Sequence, residues 1–96
     1  MKQPEDLTAE EREIMIYRDD VGMIKNPQLW PCFPFLPLKR GPFPDMEEGV
    51  IHANNPTTVH KANILMLPKT MKEFESLPST VYSTIEAIIN DGWKVD

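Results

Sequence analysis

Three groups of residues in this chain have the types and spacing to do chemistry. The run Pro34-Phe35-Leu36-Pro37-Leu38-Lys39 matches the proline-x-x-proline-x-basic pattern that SH3-type grooves take up, the prolines filling aromatic-lined slots and the cation meeting an acidic rim that fixes direction. Pro34, Pro37, Lys39 and Arg40 are the residues such a groove contacts. His52 and His60 flank a turn-forming stretch, so a hairpin brings them near one another across its ladder. With Cys32 or Asp45 they are the candidates for zinc, yet the spacing fits no zinc pattern and a site needs three or four ligands. No metal and no cofactor is expected, and both histidines read as ordinary sheet residues. The third group is acidic. Glu10, Glu13 and Asp20, with Glu11 and Asp19, fall on one predicted helix, and Asp45, Glu47 and Glu48 follow in a turn. Together they could imitate a row of phosphates and occupy a basic channel, although a solvated helix face is the plainer reading.

Catalytic patterns are missing for identifiable reasons. There is no Gly-x-Ser-x-Gly elbow, and the four glycines are too scattered to cradle a phosphate. Asp19 and Asp20 are helix neighbours that point about 100° apart, so they form no shared-proton dyad. Cys32 lies between a proline and a phenylalanine, an apolar setting in which a thiol is unreactive. These observations favour a non-enzymatic role.

The elements that must position these groups can be read from capping and periodicity. Thr8-Ala9-Glu10-Glu11 is a capping box, which starts a helix at Ala9. Ile14, Tyr17, Val21 and Ile24 give it an apolar stripe, and Asn26-Pro27 ends it. Six of the ten prolines lie between Pro27 and Pro44, and those at 31, 34 and 37 recur every third residue. That spacing favours an extended polyproline strut. Its aromatic content points inward, because Trp30, Phe33, Phe35, Leu36 and Leu38 are side chains that a domain buries. Lys39 and Arg40 are then its exposed tip.

Beyond the loop 41–45, residues 49–53 read as a strand, Asn54-Asn55-Pro56-Thr57-Thr58 as a turn, and residues 59–67 as a second strand that completes a hairpin. Thr70-Met71-Lys72-Glu73 caps a short helix carrying Phe74, and residues 79–82 are extended. Ser83-Thr84-Ile85-Glu86 caps a helix with Ile85, Ile88 and Ile89 on its buried stripe. Asn90-Asp91-Gly92 closes that helix and residues 93–96 form a terminal strand. The expectation is a single small α+β domain over residues 1–96, with 1–7 flexible and 27–48 a proline-rich extended segment and loop.

Composition narrows the class. Ninety-six residues, 41% of them hydrophobic and 26% charged, suit one compact core. The net charge of −5 disfavours direct nucleic-acid binding, which needs lysine and arginine against phosphate, and suits a partner protein with a basic surface. A single cysteine without a partner fits a reducing compartment, and there is neither a secretory leader pattern nor a membrane-length apolar run. The expected protein is cytoplasmic, acidic and bound to another protein. An inhibitor of phage type that blocks a bacterial nucleic-acid-handling or defence enzyme is one form of this. The alternatives are an adaptor presenting the Pro-x-x-Pro-x-Lys ligand, and a small metal- or ligand-dependent enzyme using His52 and His60.

Overall fold

Local capping chemistry sets the helices. In the computed structural model, which describes residues 8–42 and 44–96 and omits the side chains of Glu13, Ile16 and Tyr17, helix α1 spans Ala9–Lys25. The Thr8 hydroxyl oxygen accepts from the Glu11 amide at 3.1 Å. At the other end, the Asn26 side chain donates to the Gly22 carbonyl and Pro27 opens a 3-10 turn, Pro27–Leu29. Helix α2, Met71–Glu75, is capped by Thr70, and α3, Ile85–Asn90, by Thr84, one residue after the serine that the sequence pattern favours. Gly92 follows α3 at φ 96°, a conformation that glycine adopts without strain. The expected flexibility of residues 1–7 lies outside the described residues.

Five strands form one antiparallel sheet: β1 Phe35–Arg40, β2 Glu47–His52, β3 Asn55–Lys61, β4 Ser79–Val81 and β5 Lys94–Val95. Their order is β4-β3-β2-β1-β5, so consecutive strands meander and β5 returns to flank β1. The fold is α+β, as expected. Two local expectations need correction. The hairpin turn is only Ala53-Asn54, because Asn55 to Thr58 already belong to β3. That strand ends at Lys61, and Ile64–Met66 is a 3-10 turn started by the Asn63 side chain, which accepts from the Leu65 amide.

The proline segment is not a polyproline strut. A turn carries the chain through a cis Phe33-Pro34 bond into β1, which pairs with β2 along its whole length and with β5 at Leu38 and Lys39. Pro37 is tolerated here because its carbonyl accepts from Asp96. The amide hydrogen it lacks therefore faces the two-residue β5, and the β2 ladder is intact.

Both faces of the sheet are covered. On one, Leu36, Leu38, Ile51, Val59 and Trp93 pack with Ile24 of α1, Trp30 and Ile88 of α3. On the other, Val50, Thr58 and His60 are buried, and Phe74 of α2 closes over them. Trp30 and Leu36 thus wall the core as expected. Phe33 does not: it is 61% exposed, because the turn at 31–34 swings it outward. The helix stripe also differs, with Ile24 buried and Val21 half-buried but Ile14 exposed.

Candidate functional site

Among the described residues, the densest polar cluster joins the end of β1 to the α3–β5 corner. Arg40 donates to Glu47 and to Asp91, each at 2.8 Å, and its guanidinium stacks on Trp93 with 4.4 Å to the ring centroid. Tyr82 donates to the same Asp91 oxygen, while the Trp93 indole N–H donates to the Tyr82 hydroxyl at 3.1 Å. The hydrogen bond from Arg40 holds Glu47 below the usual carboxylate range, and Glu47 in turn raises Arg40. Burial, reinforced by Asp91, raises the Tyr82 phenol, which makes it a donor and a poor nucleophile. Each charge is met by its neighbour, so the cluster fastens α3 and β5 to β1. Lys39 and Arg40 are accordingly half-buried strand residues, not the exposed tip of a strut.

Around the same corner lies a groove of about 340 Å³ lined by Lys39, Arg40, Gly41, Met46, Gly92 and Lys94. Lys39 and Lys94 face each other directly across β1 and β5. Lys39 reaches Asp96 at 3.4 Å. Asp20 packs nearby and accepts from the Val95 amide at 3.2 Å, so it braces β5 instead of joining a free acidic face. Burial raises the Asp20 carboxyl above its ordinary value.

His52 and His60 do share one face of the sheet, but Phe74 lies against both. Its ring centroid is 4.3 Å from His60 and 6.4 Å from His52, and Phe35 packs on His52 at 5.0 Å. The His52 Nδ1 accepts from the Asn54 amide, which ties it to the hairpin turn. Neither Cys32, which is exposed, nor Asp45 joins them, and no group of three metal-binding side chains occurs among the described residues. His60 is 6% exposed. Its Nδ1 and the Thr58 hydroxyl are buried without a hydrogen-bond partner.

Burial lowers the His60 pKa from its ordinary 6.5, with His52 acting the same way and Glu75 and the Leu77 backbone opposing. The unfolded chain therefore binds the proton more tightly than the folded one. The stability this contributes is complete above about pH 6.5 and is lost as pH falls from there towards the lower folded value. Urea midpoints measured between about pH 7 and pH 5 are expected to fall, and to fall less in His60→Phe.

The Pro34 and Pro37 pattern is built into the sheet. Pro37 lies mid-strand with neighbours on both sides, so it is not displayed as a groove-binding ribbon. What remains outward is a face of α1 from its start to Asp19. Glu10, Arg12, Arg18 and Asp19 are exposed there, and so are Ile14 at 53% and Met15 at 45%. Glu13 belongs to this stretch, with its side chain outside the described residues. Among the described side chains, those of the last turns enter the core, with Ile24 buried and Met23 packed against it, and there Lys25 pairs with Glu86 of α3.

The sequence reading missed the Arg40 cluster and the Phe74-centred ring group. Glu47 and Glu48, expected in a turn, are exposed and begin β2, where Glu47 binds Arg40 and Glu48 sits opposite Lys39. No protein-family model matches the chain, and neither a curated protein nor a solved structure is significantly similar to it. No helix among the described residues is long and apolar enough to cross a membrane.

Proposed function

We propose that this protein acts without catalysis, by docking on another protein through the outward face of α1. The observation that carries the proposal is the exposure of Ile14 and Met15 on a helix whose buried contacts, among the described side chains, lie towards its far end. An isolated helical segment of two or three turns is marginal in water, and two outward apolar side chains on it serve no internal packing. A partner groove that buries them would stabilise the segment and use them as anchors, the helix-in-groove mode of recognition.

Charge defines the partner further. Glu10 and Asp19 flank the apolar pair and Glu13 lies in the same stretch, outweighing Arg12 and Arg18 there, and the chain carries a net −5. The complementary surface is an apolar slot rimmed by lysine or arginine. A protein that handles nucleic acid offers such a surface, and occupying it would make this chain an inhibitor of that protein.

The test is capture from a bacterial lysate by the tagged protein, wild type against Ile14→Asp/Met15→Asp. The expected result is one stoichiometric partner that is held at low salt, weakened by salt because exposed charges are screened within about 8 Å, and lost in the double variant at unchanged melting temperature. Capture that survives the double substitution at every salt concentration would overturn the reading.

A further inference from the structure

The geometry points to a binding site for a small phosphate-type oxyanion in the groove between β1 and β5. This chain has 15 acidic residues against 10 basic ones. The groove inverts that balance, being lined by Lys39, Arg40 and Lys94 and by no carboxylate. The carboxylates that hold Arg40, Glu47 and Asp91, approach it from outside the lining.

Two details argue for an anion and against a solvated basic edge. Like charges placed directly opposite on neighbouring strands destabilise a sheet, yet Lys39 and Lys94 are register partners. Among the described residues Lys94 has no ion pair and Lys39 only the long one to Asp96, while Glu48 opposite Lys39 and the field of Asp20 offset the repulsion in part. A bound oxyanion between the two ammonium groups turns that repulsion into attraction. Lysine serves phosphate in this way as a point charge with three donors.

Arg40 also lines the groove, but its guanidinium is turned to Trp93, Glu47 and Asp91, because consecutive strand residues point to opposite faces. The two lysines are therefore the cations that meet the ligand. Gly41 and Gly92, at φ 95° and 96°, form the rims without side chains, which lets a ligand approach the backbone closely. Met46, 40% exposed, supplies an adaptable apolar wall. The volume exceeds that of an inorganic ion and suits a phosphate carrying a small organic body.

The site is independent of the docking face on α1 and is tested on the whole chain. Backbone amide resonances are followed by NMR during titration with inorganic phosphate, with acetate at matched ionic strength as the control. The expected result is a saturable shift at Gly41, Gly92 and Lys94 that acetate does not reproduce. Binding should weaken about tenfold in Lys39→Gln and in Lys94→Gln, the scale of one charge-assisted hydrogen bond. Lys72→Gln, on the exposed face of α2, should leave it unchanged. A parallel titration with glycerol phosphate identifies the source: tighter binding than inorganic phosphate assigns the organic body to the Met46 wall, and equal binding assigns the ion alone. Shifts that never saturate, that acetate matches, or that persist in both lysine variants overturn the site. The glutamine variants lie on an exposed edge, and their own melting curves establish that they fold.

Discussion

Truncating Trp30 to alanine is expected to lower stability by about 3–5 kcal/mol, the range for emptying a buried tryptophan site. That is a large share of the roughly 5–15 kcal/mol that holds a domain together. The residue is 4% exposed, and its indole N–H donates to the Met23 carbonyl at 2.7 Å. It thus joins the last turn of α1 to the sheet, and its loss removes core volume and loosens the helix together. Trp30→Phe keeps most of the apolar area. It should cost far less, since Met23 still accepts from the Asn26 amide. Phe33→Ala, three residues on and exposed, should barely move the urea midpoint. Equal effects at positions 30 and 33 would contradict the packing described.

The second large effect is expected from adding one carbon. A Cβ on Gly49 would lie 2.8 Å from Val59 Cγ1 and 3.0 and 3.1 Å from two carbons of the Trp93 ring. These separations are shorter than van der Waals contact, in the middle of β2. Alanine has no conformational penalty there, so the cost is overpacking, about 1–3 kcal/mol. Because Trp93 carries the Arg40 stack, its fluorescence should shift as well. Val59→Ala alone leaves a cavity and destabilises. Combined with Gly49→Ala it removes the closest clash, and the double variant should be more stable than the sum of the singles predicts, a coupling that a mutant cycle measures.

The sequence was most informative where the governing physics is local. Thr8 and Thr70 were readable as caps because the hydroxyl and the amide it serves are three residues apart. Ile24 and Ile88 followed from helical spacing, and Gly92 from the need for a left-handed stop. The proline segment misled because its local preference and its tertiary use diverge. Prolines at every third position favour a free-standing helix, whereas ladder bonds to residues far along the chain turn Phe35–Arg40 into a strand. Nothing near Arg40 in sequence announces Asp91, which is 51 positions away. The outward turn of Ile14 was hidden for the converse reason. Periodicity gives a helix an apolar face, but only the body it packs against decides how many turns of that face are used.

The return of β5 to the flank of β1 has a kinetic consequence. Strands β1 to β4 pair with their sequence neighbours, but Lys39 and Lys94 meet across about 55 positions. By polymer statistics, closing a loop of that length costs about 2 kcal/mol more than closing a five-residue loop. The meander can therefore zip first, with β1 as its open margin, while the final strand waits for α3 to form and deliver it. Trp93 docks over Gly49 only at that closing step. Its emission would then report the latch, not the meander, in a refolding trace, and contacts made this late chiefly govern how slowly the protein comes apart.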